Sequence, residues 1–344
     1  MRTIWWCAIC FAAGACAWWE ALRYVVPFIV FKFQEKQKEN HDTLLCRARE
    51  QCGLAVSHFT MTAQEIAMNS VMSPDLSDEE AGKIYEHLDR RLASKGRNGT
   101  QPLVLHIGPA DLDDEDMAMY NRLAAPLRDS HGKVAFVEPH PFLRSKLQQK
   151  LRSLPDGLGQ LSPSVLPVAI CPGDREAVLY KISDRFFRDF KETGWLYLIR
   201  YWAGLDRQHL LRELQIFCNQ TGKVWLFKTL HVFPKTFPST LDAWMPYIEE
   251  LPVRCLSPRS ILQEVQAGPE SVEILIVDAE GYDTELVNLF LAMDRFAPST
   301  IVFEWHLHAN DPSKLDALVK LARGLHARGY DIHRHNHDVI AIAY

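Results

Sequence analysis

The sequence predicts an α/β domain with a mainly parallel sheet and helices on both faces, preceded by an apolar amino-terminal helix and a helical stalk. Two observations support this prediction. Residues 1–33 are far more apolar than the rest of the chain, and beyond residue 100 short apolar runs alternate with amphipathic stretches. Strands that alternate with helices form mainly parallel sheets. We therefore divide the 344 residues into an anchor or signal peptide (1–33), a stalk or linker (34–100) and an α/β domain (101–344).

Composition and charge are those of an ordered globular protein. Apolar residues make up 47% of the chain and charged residues 24%, and 38 Lys and Arg stand against 43 Asp and Glu. Proteins that bind nucleic acid usually carry a basic excess, and here the net charge is −5. The charge balance therefore argues against nucleic acid as a partner.

The amino-terminal segment is a candidate membrane anchor. Thr3 to Trp19 contains no charged residue, and a second apolar run, Tyr24 to Phe31, follows Glu20 and Arg23. Three interpretations stay open: a cleaved signal peptide, an uncleaved signal anchor that uses the whole stretch to Phe31, and a buried amphipathic helix. The first two imply the secretory pathway (ER or Golgi) or a membrane tether, and they leave the side of the membrane open. In a secreted chain a Cys46–Cys52 disulfide is an option.

The stalk is predicted to be helical. Ser77-Asp-Glu-Glu80 has the pattern of a capping box. Ile84, Leu88 and Leu92 fall on one face of the helix that this box opens, and Gly96 suits its carboxyl end.

The α/β domain is predicted from five strands, three helices and a terminal hairpin. The strands are Leu103–Ile107, Val134–Val137, Val165–Ile170, Ile274–Val277 and Thr300–Phe303. The helices are Glu115–Arg128, Pro141–Leu151 and Pro312–Arg328, and the hairpin is Tyr330–Ala343. Residues 184–250 are predicted to be an insertion that covers the sheet edge or shapes a substrate pocket. Ligands of such sheets bind at the carboxyl ends of the strands, so the residues that follow each strand are the candidates for function.

Four segments at the ends of predicted strands are distinctive in their residues, order and spacing. They are His106-Ile-Gly-Pro-Ala-Asp111, Glu138-Pro-His-Pro141, Asp278-Ala-Glu-Gly-Tyr-Asp283 and Glu304-Trp-His-Leu-His308. Together they resemble the FkbM family of S-adenosylmethionine-dependent methyltransferases over residues 101–344, most closely in ILIVDAEGYDTELV (274–287) and VAFVEPHPFLRSKL (134–147). The resemblance implies a Rossmann-like methyltransferase three-layer sandwich. It also implies S-adenosylmethionine as cofactor and O-methylation of a hydroxyl on a glycan or small metabolite.

Gly108, Glu138 and Pro139 are the candidate cofactor-binding residues. A glycine lets the backbone approach the cofactor closely. An acidic residue at the end of the second strand accepts both ribose hydroxyls of a nucleoside, and Pro139 ends that strand. The alternative for Glu138 is a solvated acid at a strand end.

Asp278, Glu280 and His306 are the candidate catalytic residues. Asp278 and Glu280 are two residues apart, so they leave a strand on the same side. Methyl transfer to a hydroxyl needs a base for the hydroxyl proton and an aligned nucleophile. The alternative is that these acids, with Asp283, cap the following helix.

No metal is predicted, because the histidines lack zinc-type spacing. The alternating His333, His335 and His337 share one face of a strand, as do His306 and His308. We interpret the former as the polar tip of the hairpin, with a divalent metal as the alternative.

The loop after the first strand departs from the family pattern. His106 stands where the family has Asp, Leu112 stands where it has Gly, and Pro109 removes a backbone donor. The acidic run at 111–116 would repel the carboxylate of S-adenosylmethionine. Two alternatives therefore stay open: a catalytically inactive domain that binds a ligand or partner in the same cleft, and a membrane-tethered transferase of another kind, such as a glycosyltransferase.

Overall fold

The computed structural model describes residues 72–344 except 77, 98–100, 111, 113, 155–156, 191–198, 224–237, 239, 280, 306–311 and 336. The predicted anchor (1–33), most of the stalk (34–100) and the suggested Cys46–Cys52 disulfide lie outside the described residues. None of the described helices is long and apolar enough to cross a membrane.

The described part of the chain is mixed α/β. Its strands are β1 (Ser73–Asp75), β2 (Leu103–Ile107), β3 (Lys133–Val137), β4 (Ser164–Leu166), β5 (Ala169–Ile170), β6 (Arg175–Ile182), β7 (Ala203–Gly204), β8 (Ile248–Leu256), β9 (Val272–Val277), β10 (Thr300–Glu304), β11 (Asp331–His335) and β12 (Asp338–Ile342). Its α-helices are α1 (Asp78–Arg97), α2 (Asp114–Asp129), α3 (Pro141–Ser153), α4 (Asp184–Phe190), α5 (Arg207–Lys223), α6 (Leu241–Trp244), α7 (Pro258–Glu264), α8 (Asp283–Leu291) and α9 (Pro312–Ala327).

Eight strands form the main sheet in the order β1-β11-β12-β10-β9-β2-β3-β4. Of these eight, only β12 runs antiparallel to its neighbours. β2 has β3 on one side and β9 on the other, so the direction in which strands are added reverses at β2. In an open α/β sheet such a reversal leaves a crevice at the carboxyl ends of the two neighbouring strands.

The central strands form because both faces of the sheet are covered. Every residue of β2 and of β9 is buried, which explains why both read as nearly continuous apolar runs. One core layer contains residues of α7, α8 and α9, and the other contains residues of α1, α2 and α3. Ile84, Leu88 and Leu92 of α1 are buried in the second layer, which confirms the predicted apolar face of that helix.

The prediction of one continuous strand over Val165–Ile170 is wrong. Val165–Ile170 is two short strands, β4 in the main sheet and β5 in a second sheet. Pro167 lies between them, and proline cannot donate a hydrogen bond to a sheet ladder. The predicted terminal hairpin is confirmed as β11 and β12, which pair in antiparallel register.

The second sheet has the order β5-β8-β6-β7. Its main component is an antiparallel ladder between β6 and β8, and the predicted insertion 184–250 lies mostly between these two strands. A disulfide joins Cys171 and Cys255, 84 residues apart, at the start of this excursion and at its end. An aromatic cluster that includes Phe186, Phe217 and Trp244 forms a separate core for the inserted helices.

Candidate functional site

A cleft of about 150 Å³ lies at the carboxyl ends of β2, β3 and β9, where the strand order reverses. Ile107, Gly108, Val137, Glu138 and Asp278 line it from the main sheet. Ile170, Leu179, Ala203, Gly204 and Leu205 line it from the second sheet and the residues next to it. A single water molecule needs a cavity of about 10–15 Å³. The cleft therefore has room for a small ligand.

A side chain at residue 108 would keep the ends of β2 and β9 apart, so this position requires glycine. Its φ is +73°, and a Cβ atom at this position would lie 1.7 Å from the carbonyl oxygen of Asp278. The Gly108 amide donates to the Val137 carbonyl at 3.0 Å, and the Asp278 amide donates to the Ile107 carbonyl at 2.9 Å. The absence of a side chain at residue 108 therefore lets the ends of β2 and β9 close together, which brings Asp278 to the cleft.

The loop after β2 keeps a glycine-like backbone without the expected glycine. Leu112 has a φ of +57° and Ala110 a φ of +47°, both in the left-handed region that costs an L-residue roughly 1–2 kcal/mol. The side chain of Leu112 is fully buried in the core layer beside α2. Burial of the Leu112 side chain offsets the backbone strain. Leucine can therefore occupy a left-handed position that usually favours glycine.

Glu138 is buried in the cleft wall, with 4% of its surface exposed. The His140 amide donates to its Oε1 at 2.7 Å, and the Ala110 amide also donates to its carboxyl group. Burial raises the pKa of Glu138 to about 8, against the opposing effect of these two amides and of Arg144. The alternative of a solvated acid at the strand end is therefore wrong. Pro139 also lines the cleft.

His140 lines the cleft and caps α3. Its Nδ1 accepts a hydrogen bond from the Leu143 amide at 3.4 Å. Burial, with help from the positive charges of Lys181 and Arg200, lowers the pKa of His140 to about 4, and Asp184 opposes the shift. His140 belongs to the Glu-Pro-His-Pro segment but is not among the site residues predicted from the sequence. Its place two residues after a candidate ligand-binding acid was the available signal.

The loop that follows β9 is held from two sides. The carboxylate of Asp283, fully buried, accepts hydrogen bonds from the amides of Ala279 (3.1 Å) and Gly281 (3.0 Å). Lys314 of α9 donates to the Gly281 carbonyl at 2.6 Å. Asp283 therefore has a structural role in this loop, whereas Asp278 lines the cleft and its side chain is exposed.

Only one of the three candidate catalytic residues can be placed. Glu280 and His306 lie outside the described residues. Tyr282, which is not among the site residues predicted from the sequence, lines the cleft beside Asp278. Burial and the carboxylate of Asp206, which accepts a hydrogen bond from its hydroxyl, raise the pKa of Tyr282 to about 12. Tyr282 is therefore un-ionised at neutral pH.

His106, which stands where the family has Asp, is not among the residues that line the cleft. His106 is a buried core residue whose Nδ1 is 3.0 Å from the hydroxyl of Tyr120, and burial lowers its pKa to about 3. Within the described ranges no group of three or more His, Cys, Asp or Glu side chains could hold a metal ion.

No protein-family model matches the chain, and no curated protein matches its sequence.

Proposed function

We propose that this protein is an S-adenosylmethionine-dependent O-methyltransferase of FkbM type with a Rossmann-like methyltransferase domain. Its proposed acceptor is a hydroxyl of a glycan or small metabolite. The observation that carries the proposal is the place of the cleft: Gly108 and Glu138 meet Asp278 where the strand order reverses. These are the positions that the FkbM resemblance assigns to cofactor and acceptor.

The chemistry of the cleft wall suits a nucleoside without phosphate groups. Most of its lining residues are aliphatic, and none of the described ones is Lys or Arg. Phosphate groups are often bound by those two side chains or by metal ions, in addition to backbone amides at helix N-termini. The lining therefore supports the adenosine of S-adenosylmethionine better than the nucleoside diphosphate that many glycosyltransferases use.

The proposed mechanism needs little from the protein beyond binding, alignment and one proton acceptor. S-adenosylmethionine supplies an electrophilic methyl group when bound. Glu138 holds the ribose hydroxyls, and the apolar lining excludes water. Asp278 takes the proton of the acceptor hydroxyl. Glu280 and His306 stay candidates for the same task on the strength of the resemblance.

We also propose that the domain works in the secretory pathway, tethered to a membrane by residues 1–33 if these form a signal anchor. The Cys171–Cys255 disulfide supports this, because disulfides persist in the ER, in the Golgi and outside cells and are rare in the cytosol. The domain would then lie on the lumenal or extracellular side.

A second candidate is an inactive domain that binds its ligand without methyl transfer. The observation in its favour is the loop after β2, where Leu112 fills the place of the family glycine and residues 111–116 are mostly acidic.

Calorimetric titration of the purified full-length protein with S-adenosylmethionine tests both candidates. Absence of binding at millimolar ligand would overturn the proposed cofactor. Binding that Glu138→Ala leaves unchanged would overturn the site. Binding without transfer of a labelled methyl group to hydroxyl acceptors in a glycan and metabolite extract would favour the inactive domain.

A further inference from the structure

We propose that the methyl acceptor is a carbohydrate and that a side pocket next to the cleft, formed by Trp202, His209 and Glu213, binds one of its hydroxyl groups. The inference rests on the proposed function, because it names the substrate class for the same site. The hydroxyl bound in the side pocket differs from the one that receives the methyl group, which stays with Asp278.

The side pocket adjoins the cleft. It has a volume of about 20 Å³, and Ala203 and Leu210 complete its wall. Ala203 also lines the cleft, so the two spaces are neighbours. A single water molecule needs about 10–15 Å³, so the side pocket has room for one hydroxyl or hydroxymethyl group. The rest of an acceptor that places such a group there would lie in the cleft.

Two contacts fix the side pocket relative to the proposed base, Asp278. The hydroxyl of Tyr282 donates to the carboxylate of Asp206, whose Oδ1 also accepts from the Gln208 amide at the start of α5. The ring centroids of Tyr282 and His209 are 6.2 Å apart, with an angle of 81° between the ring planes. Since Tyr282 and Asp278 line the same cleft, α5 holds the side pocket on the side where the acceptor binds.

Glu213 supplies an acceptor that the protein itself does not use. Its side chain is half-buried, and its carboxyl group makes no hydrogen bond to any residue in the described part of the chain. Burial raises its pKa, against the opposing charges of Lys314 and Arg212, and Lys314 already donates to the Gly281 carbonyl. A carboxyl group that is partly shielded from water forms a stronger hydrogen bond with a ligand than a fully solvated one.

Trp202 supplies an aromatic surface beside that carboxyl group. Its indole is half-buried and packs edge to face with Phe217, with ring centroids 5.5 Å apart. None of the described residues accepts a hydrogen bond from its N–H group. An aromatic ring packs well against the C–H face of a sugar, and an indole N–H and a carboxylate together suit a hydroxyl, which accepts and donates.

This combination favours a carbohydrate over the other small acceptors. The charge of Glu213 would repel an anionic metabolite. An apolar metabolite would cover the carboxyl group without offering it a hydrogen bond, which costs free energy. A neutral acceptor with several hydroxyl groups meets neither penalty.

The first experiment identifies the acceptor class. The full-length protein is incubated with S-adenosylmethionine that carries a labelled methyl group and with a glycan and metabolite extract, and the products are hydrolysed in acid. We expect the label in an O-methylated monosaccharide. Label confined to acceptors without a sugar would overturn the inference and leave the proposed function standing. Transfer to no acceptor at all would overturn both.

Glu213→Gln then tests the side pocket, with the methyl glycoside of the labelled monosaccharide as the probe. Glutamine keeps the shape and loses the charge, so KM for the glycoside should rise roughly three- to tenfold. The kcat and the affinity for S-adenosylhomocysteine, the product of the cofactor, should stay within about twofold of the wild type. Glu176→Gln, at an exposed position of β6 outside both spaces, is the matched control and should change none of these quantities.

Monodeoxy forms of the same glycoside identify the bound hydroxyl. One of them should have a raised KM with the wild type and the same KM with Glu213→Gln, because the contact is then missing from both. If Glu213→Gln has the wild-type KM for the parent glycoside, or if no monodeoxy form abolishes the difference between the two proteins, the side pocket does not bind the acceptor and the inference is wrong.

Discussion

Glu138 carries a carboxyl group whose charge depends on pH within the working range of most proteins. With a pKa of about 8, about one-tenth of the groups are ionised at pH 7 and about nine-tenths at pH 9. The ionised carboxylate is the better acceptor for two ribose hydroxyls. We therefore expect the affinity for S-adenosylhomocysteine to rise roughly tenfold between pH 7 and pH 9, as measured by calorimetry.

Glu138→Gln provides the control for this prediction. Glutamine retains an acceptor oxygen but does not titrate, so the variant should bind more weakly and with the same affinity at both pH values. An affinity of the wild type that does not change with pH would contradict either the raised pKa of Glu138 or its contact with the ligand.

Leu112 combines an unfavourable backbone conformation with a favourable buried side chain. Leu112→Ala keeps the left-handed φ and removes most of the packing, so we expect a loss of about 2–5 kcal/mol in the free energy of unfolding. Ala110→Gly relieves a similar strain and removes only a methyl group, so its stability should change by less than about 1 kcal/mol. Urea unfolding of the two variants measures both values. Similar losses in the two would show that the leucine side chain does not stabilise the loop.

At the scale of secondary-structure elements, α1 is held to the sheet through an acid near the start of a buried strand. Glu273 of β9 is fully buried, and its carboxylate lies 2.5 Å from Lys95 and 3.1 Å from Arg91 of α1. Burial alone would raise the pKa of Glu273, but these two cations hold it below its usual value. Glu273 therefore ties α1 to the sheet, in addition to the buried apolar face of that helix.

Removing one partner of this buried pair should be costly. We expect Lys95→Met to lower the free energy of unfolding by about 3 kcal/mol, the lower end for a broken buried ion pair, because Arg91 still offsets part of the charge. Lys320→Met, at an exposed position of α9, is the matched control and should change stability by less than about 0.5 kcal/mol. Equal losses in the two variants would contradict the anchoring role of Glu273.

How far the sequence predicts an element depends on how completely the element is buried. β2 and β9 are covered on both faces and appear as short apolar runs, so they were predicted within two residues. β6 and β8 were missed because they mix exposed, partly buried and buried residues and belong to a small second sheet. Their pairing joins residues about 66 to 80 positions apart, and the disulfide between Cys171 and Cys255 joins residues 84 positions apart. No local pattern reveals such pairs.

The residues of the candidate site that lie at the carboxyl ends of strands could be predicted from the sequence. Gly108, Glu138 and Asp278 were selected on that basis, and all three line one cleft. The side pocket was not predictable, because its position depends on how α5 packs against the loop after β9, which is distant in sequence. The segment Tyr201 to Leu205 lines the opposite wall only because of how the second sheet packs.

At the scale of the whole molecule, the Cys171–Cys255 disulfide staples the second sheet where the chain leaves and re-enters the main domain. In the chain-entropy description, a disulfide that closes a loop of this length stabilises the folded protein by about 4.6 kcal/mol. We expect the double variant Cys171→Ala/Cys255→Ala to lose about 2–5 kcal/mol of stability. It should also bind S-adenosylhomocysteine more weakly, because Ala169 and Ile170 line the cleft next to the bond.

A reducing agent supplies the internal control. Dithiothreitol should lower the melting temperature of the wild type toward that of the double variant and should not affect the double variant itself. If dithiothreitol lowers both melting temperatures equally, the effect does not come from this bond.

The pH dependence of stability follows from three buried groups. His106 and His140 have pKa values of about 3 and about 4 in the folded chain against an ordinary 6.5, so they stabilise fully above pH 6.5 and lose this contribution as the pH falls. Glu138, with a pKa of about 8 against an ordinary 4.5, acts in the opposite sense: its contribution is complete below pH 4.5 and is lost as the pH rises toward 8.

These opposing effects predict a maximum of stability near pH 6.5 in the ligand-free protein. Between pH 6.5 and pH 4.5 the unfolded chain binds two histidine protons that the folded chain excludes, and the folded chain keeps one carboxyl proton that the unfolded chain releases. The free energy of unfolding should therefore fall by about 1 kcal/mol per pH unit on the acid side, and by about 0.6 kcal/mol per unit between pH 6.5 and pH 8. Urea unfolding between pH 4.5 and pH 9 measures this profile.

Two variants assign the two sides of the profile. Glu138→Gln should remove the loss above pH 6.5, because no carboxyl group then has to ionise in the cleft wall. His140→Asn should reduce the loss below pH 6.5, because one buried imidazole is removed, whereas the exposed His131 replaced by Asn should leave the profile unchanged. A stability that rises steadily from pH 6.5 to pH 8 in the wild type would show that Glu138 is ionised at neutral pH. The tenfold pH dependence of ligand affinity would then be lost with it, because both outcomes depend on the same buried proton.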